Sequence, residues 1–200
     1  MESSSPKPPP PRKLSALAQR FDLEHLAVLD VGCGRGINLQ HFSAESLGVD
    51  RDPASIAEVR ARGLRAEKRD VSRWGWSQEL GQFDLVWLCD ILVHLDDPRA
   101  FLEEVPALLK PEGHIVIAEW LWPESPVAAT ALSCIIPGGR ATLTEPDHRR
   151  RYHRRTLAAD LHAAGLRIES SYNHSLPPGA LARALDSFWP PRTIVARPAG

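Results

Sequence analysis

The stretch LAVLDVGCGRG, residues 26–36, constrains the fold of this chain more than any other. A short apolar run, broken only by Asp30, leads into glycines at every second position: Gly32, Gly34 and Gly36. An apolar run closed by a glycine loop reads as a buried parallel strand. The glycines permit a tight turn and let a ligand approach the backbone closely. Open α/β sheets bind ligands at the carboxyl ends of their strands, which is where this loop falls.

The pattern then repeats. Residues 46–50 (SLGVD), 64–68 (LRAEK), 83–89 (FDLVWLC) and 114–118 (HIVIA) read as further strands. Between them, helices are expected over 37–44, from the Asp52-Pro53 pair to Gly63, and from the Asp97-Pro98 pair to Lys110. Asp before Pro is an N-cap with proline at the first helical position, and glycine ends a helix. Another helix is expected over 13–25, on the spacing of Leu14, Leu17, Ala18 and Phe21. A helix over 156–164 and two late strands, 166–172 and 192–196, follow. Strand, helix, strand at this spacing predicts a Rossmann-like α/β fold, a mostly parallel sheet with helices on both faces.

Residues 1–12 hold five of the 18 prolines and read as an extended tail, leaving 13–200 as one domain. Residues 120–151, rich in Pro and Gly, break the rhythm and read as a substrate-facing insertion or lid.

Composition narrows the partners. Basic and acidic residues number 24 and 25, which disfavours a strongly basic nucleic-acid binder. Twenty of the basic residues are Arg, five of them between Arg149 and Arg155. That cluster has three readings: a solvated run, a site for a small anionic group, or a nucleic-acid footprint. Three cysteines without CxxC spacing point away from disulfides and zinc, toward reduced thiols in the cytoplasm. The apolar stretch 126–137 falls short of the ~20 residues of a membrane helix.

The glycine loop also limits its ligand. It lacks the Gly-Lys-Ser/Thr of a phosphate loop, and Ile37 stands where a dinucleotide fingerprint needs a small residue. Asp30, two residues before the first glycine, suits a cationic or amino-bearing ligand and repels a pyrophosphate. Asp50 ends the second strand, where an acid accepts from both ribose hydroxyls. Asp70 follows the third strand, where a carboxylate accepts from an adenine amine and a backbone N–H, such as that of Val71, meets a ring nitrogen. Singly, these acids also read as a solvated strand end, a turn and a helix cap. Together they describe a nucleoside pocket without phosphates.

VLDVGCGRG, LGVD, RDV, FDLVWLCDILVHLDDP and LLKPEGHIVIAE resemble, in order, the motifs of class I S-adenosylmethionine-dependent methyltransferases, especially the small-molecule branch. The resemblance covers roughly residues 25–120 and implies a seven-stranded sheet whose last strand is antiparallel. It implies S-adenosyl-L-methionine as cofactor, with Asp30 and the backbone of Gly32, Cys33, Gly34 and Gly36 around its methionine part. It places Asp50 on the ribose, Arg51 over the adenine face, Asp70 and Val71 at the adenine edge, and the Cys89 carbonyl near the amino group. Arg51 departs from the family, which is usually apolar there, and Val93-His94 replaces a common His-His.

The activity so implied is methyl transfer to O, N or C of a small molecule. Two alternatives stand beside it: methylation of RNA or protein, and a catalytically silent methyltransferase-like binding protein. His94, after the fourth strand, is the candidate general base, and a histidine packed at a helix start is its other reading. Glu119, ending the fifth strand, is the second catalytic candidate, or a strand end. Trp120, Trp122, Ile135 and Ile136 read as an acceptor pocket or a subsidiary core.

Overall fold

Every residue of strand β1 (Val28–Val31) is buried, as its apolar run requires. The computed structural model describes residues 8–135, 141, 145–174 and 191–199. The remaining strands are β2 (Leu47–Asp50), β3 (Ala66–Lys68), β4 (Phe83–Cys89), β5 (Leu109–Trp120), β6 (Leu166–Asn173) and β7 (Pro191–Pro198). They form one seven-stranded sheet in the order β3-β2-β1-β4-β5-β7-β6. The first five are parallel, and β7 runs antiparallel to both β5 and β6.

Side chains alternate across the sheet and feed two cores. Leu29, Val31, Val86, Leu88 and Ile117 point to one face, under α3 (Pro98–Glu104) and α5 (Arg154–Ala163). Val28, Leu85, Trp87 and Val116 point to the other, under α1 (Arg12–Ala18) and α2 (Pro53–Ala61). Helices thus cover both faces, as a parallel sheet needs.

The Asp-Pro starts form as the sequence indicates. Asp52 accepts from Ala54 N and Ser55 N at 3.2 and 2.9 Å, and Asp97 from Ala100 N at 3.0 Å. Five elements differ from expectation. Strand β5 begins at Leu109, ahead of the expected His114, with a shift in its register against β4 between Phe83 and Leu85. The helix expected over 37–44 is one short turn, Leu39–His41, because Ser43 donates to Leu26 O (2.6 Å) and Ser46 accepts from Val28 N (3.0 Å). These hydroxyls draw the chain into β2 instead of extending a helix. Helix α1 stops at Ala18, and the chain turns again at Asp22, whose carbonyl accepts from His25 and Leu26. Helix α3 tightens into a 3-10 turn over Val105–Leu108, where Pro106 lacks an N–H. The supposedly irregular 120–151 contains α4 (Pro126–Ile135). Only Ala129 and Ser133 of α4 are buried, so no amphipathic stripe announces it.

Of the Pro-rich tail, residues 1–7 lie outside the described residues, and Pro8–Pro11 precede α1 without regular structure. Among the described residues no helix is long and apolar enough to cross a membrane.

Candidate active site

The chain runs from β1 outward to β2 and β3, then returns past β1 to β4 and β5. The crevice between β1 and β4 is therefore the topological switch point, where such sheets bind ligands. Two loops meet there: the glycine loop after β1 and residues 90–94 after β4.

Gly32 adopts φ +72°, and a Cβ at that position would lie 2.9 Å from Ile91 Cδ1. The positive φ favours glycine, and an added Cβ would also push the Ile91 side chain aside. Gly32 N and Cys33 N donate to Val49 O (2.8 and 3.0 Å), folding the loop over the end of β2. Gly34 N donates to Asp50 Oδ2 and Asp52 N to Asp50 Oδ1, both at 2.9 Å. A carboxylate has about four acceptor sites, so two remain on Asp50.

A cavity of about 950 Å³ opens at this point, at the upper end of the about 300–1,000 Å³ typical of small-molecule sites. Gly32, Asp50, Arg51, Asp70, Val71, Cys89 and His94 all line it. Its wall carries six aspartates (50, 52, 70, 90, 96 and 147) against three arginines (51, 69 and 149). The space is built for positive charge. Asp70 accepts from Ser72 N, Ser72 Oγ and Arg73 Nε at 3.2, 2.6 and 3.0 Å, leaving about one acceptor site. The Ser72 hydroxyl is the main reason its carboxyl lies below the usual range.

Asp30 stands apart from the other acids: it does not line the cavity. It is 1% exposed, and neither carboxylate oxygen has a hydrogen-bond partner. Burial pushes its carboxyl up to about 7, against a lowering by the Lys13 ammonium and with a further push from Asp50. A buried acid without a hydrogen-bond partner is costly, and a positive charge near it lowers that cost, as the Lys13 ammonium does.

The other glycine-loop residues are placed differently. Cys33 is buried in the core against Gly48, its thiol pushed up to about 12 by burial, and neither it nor Gly34 borders the cavity. Gly36 brings the loop against α2, where an added Cβ would meet Val59 Cγ2 at 3.1 Å. Any ligand contact by Cys33, Gly34 or Gly36 would be through the backbone.

His94 sits at the end of a 3-10 turn, Leu92–His94. Its Nδ1 is 3.1 Å from Asp147 O, and its ring meets that of His148 edge to face at 5.0 Å. Glu119 does not border the cavity. It is 2% exposed and accepts from Leu92 N at 3.0 Å, and burial raises its carboxyl well above the usual range. It is thus a buttress behind the turn that carries His94.

The insertion reaches the site through its second half. Arg149 N donates to Val93 O at 2.8 Å, and Pro146, Asp147 and Arg149 form one cavity wall. Much of the arginine cluster is occupied within the chain. Arg149 pairs with Asp96 (2.9 Å), Arg155 with Glu124 (3.4 Å), and Arg150 donates to Asp96 O (2.7 Å). Trp122 is buried and Trp120 stacks on it at 5.7 Å; Ile135 is exposed, and Ile136 lies outside the described residues.

Sequence reasoning missed Lys13 and Asp90. Asp90 directly follows β4, so its place at the rim was legible. Lys13 was not: it reaches Cys89 Sγ and Asp90 Oδ2 (3.1 Å) from 76 and 77 residues away.

Comparison with known proteins agrees with this geometry. A family model described as a methyltransferase domain matches residues 8–171. A ubiquinone biosynthesis O-methyltransferase of Xanthomonas oryzae pv. oryzae is 30% identical over 116 residues, 54% of this chain and 48% of the relative. The chain therefore spans about half the length of the curated relatives it matches. An S-adenosylmethionine-dependent methyltransferase from Clostridium acetobutylicum superimposes with TM-score 0.66 at 15% identity, covering 94% of this chain and 92% of the other. The [4+2]-cyclase SpnF superimposes with TM-score 0.65 at 19% identity, covering 94% and 82%. At these identities the likeness is one of fold, and SpnF shows that the fold alone does not name the reaction. The match over 8–171 does name the family: the chain belongs to the class I S-adenosylmethionine-dependent methyltransferases.

Proposed function

We propose that the protein transfers a methyl group from S-adenosylmethionine to O, N or C of a small-molecule acceptor. The carrying observation is the aspartate-rich cavity at the switch point, backed by the unpartnered Asp30. A nucleoside joined to a sulfonium and an ammonium, with no phosphate, has the complementary charge. Bound there, S-adenosylmethionine supplies a methyl group already activated for in-line displacement.

The chain's own residues then bind and orient. The two acceptor sites left on Asp50 match the two hydroxyls of a ribose. The site left on Asp70, with Val71 N–H beside it, suits an adenine edge, and the Arg51 guanidinium suits its face. Asp30, Gly32 and the Cys89 carbonyl take the methionine end. Positioning alone contributes on the order of 7–11 kcal/mol to such a reaction. His94, on the cavity wall, takes the proton of an acceptor hydroxyl or amine, and Glu119 fixes the turn that presents it. The segment 120–151 contributes specificity through Pro146–Arg149.

The near balance of 24 basic and 25 acidic residues supports a small acceptor over RNA. Calorimetry with S-adenosylhomocysteine tests the reading. The wild type is expected to bind, and Asp50→Ala to bind about 10- to 100-fold more weakly, the loss of charge-assisted hydrogen bonds. No binding by the wild type would refute it.

A further inference from the structure

A second cavity lies on the other side of Asp90. It has a volume of about 220 Å³ and is lined, among the described residues, by Pro11, Arg12, Lys13, Asp90, Ala118, Trp120 and His174. Asp90 borders both cavities and so marks where they meet. It holds φ +51°, a left-handed conformation uncommon outside glycine, with its N–H donating to Ala118 O at 3.0 Å. Strained residues of this kind gather at functional sites.

The two cavities have opposite electrostatic character. The larger has twice as many aspartates as arginines; the smaller has two cations, Arg12 and Lys13, and one acid, Asp90. Burial works against the Lys13 charge, but Cys89 and Asp90 outweigh it and raise its pKa. His174, its Nδ1 2.9 Å from Thr193 Oγ1, is pushed down to about 4 by burial and is neutral at neutral pH. A protonated amine would therefore meet net positive charge there, whereas an acidic oxygen would meet an ammonium. Trp120, backed by Trp122, offers a flat wall. A cavity of about 150 Å³ is enough for benzene, so this one has room for a single substituted ring.

We propose that the smaller cavity is the acceptor subsite and takes one hydroxylated aromatic ring. On a ring with two adjacent hydroxyls, Lys13 donates to the oxygen to be methylated, Asp90 accepts from the neighbouring hydroxyl, and Trp120 stacks on the ring. The assignment of the cavity to the acceptor rests on the methyltransferase reading above; its preference for a phenol over an amine rests on its own lining. As the ring oxygen takes the methyl group and S-adenosylhomocysteine is left, its proton passes to His94 on the wall of the larger cavity, and the Lys13 ammonium stabilises the charge on the oxygen meanwhile.

Calorimetry on the wild type saturated with S-adenosylhomocysteine tests this, with catechol and benzylamine as ligands. Catechol is expected to bind and benzylamine not to. Lys13→Gln is expected to weaken catechol about 10- to 100-fold with S-adenosylhomocysteine kept saturating, as loss of a charged hydrogen bond does. Lys13→Arg should restore part of the loss. Benzylamine binding as tightly as catechol, binding of neither ligand, or full catechol affinity in Lys13→Gln would overturn the assignment. If S-adenosylhomocysteine itself fails to bind, the methyltransferase reading falls; catechol and benzylamine titrated into the free protein still decide the polarity of the subsite.

Discussion

Asp30→Asn should stabilise the ligand-free protein while weakening its hold on a cationic cofactor. The carboxyl is fully enclosed, lacks hydrogen-bond partners and is pushed from an ordinary 3.8 to about 7. At 1.36 kcal/mol per tenfold, ionising it in the folded state costs about 4 kcal/mol more than in the unfolded chain. Between pH 3.8 and about 7 the folded state binds the extra proton, so stability falls as pH rises through that window and stays reduced above it. An amide removes the charge but adds two N–H donors without partners, which returns about 1–3 kcal/mol. The variant should therefore be more stable than wild type by about 1–3 kcal/mol at pH 8 and show no gain at pH 4. Urea unfolding at the two pH values measures this. Calorimetry on the same samples should show weaker S-adenosylhomocysteine binding, because the ligand's ammonium loses its anion. A variant less stable than wild type at pH 8, or one binding the ligand equally well, would refute the account of Asp30 as a charge kept for a cation.

Glu119 and His94 separate in the same way. Glu119→Gln keeps an oxygen for Leu92 N and should retain most of the methyl-transfer rate, whereas Glu119→Ala should lose about 1–3 kcal/mol of stability; a rate collapse in Glu119→Gln would instead make the carboxylate a participant. His94→Gln should lower kcat by about 10²- to 10⁴-fold, the usual worth of a general base, with cofactor affinity unchanged. A kcat that survives would leave His94 as a wall of the cavity and nothing more.

Much of the fold was legible because parallel strands are written locally. β4 falls on Phe83–Cys89 as the apolar run indicates, and the Asp52-Pro53 and Asp97-Pro98 pairs cap the helices they announce. Two of the cavity's acids were legible for the same reason: Asp50 and Asp70 stand at or just beyond strand ends, and strand ends in such a sheet share one rim. What local pattern could not show was competition. Ser43 and Ser46 bond to Leu26 and Val28, so a helix-like spacing became one turn. Glu119 ends its strand at the rim in sequence, yet its carboxylate is turned inward to Leu92 N.

The sequence alone thus determined the sheet, its switch point and the acids Asp50 and Asp70 that line the cavity there, because each depends on a few neighbouring residues. Only the tertiary structure decided which buried acid lacks a partner, which glycine-loop side chain is core, and that Lys13 reaches the end of β4. Those outcomes depend on contacts between residues far apart in the chain. A carboxylate's charge state and a lysine's reach are set by what packs around them, and the linear order of residues does not carry that information.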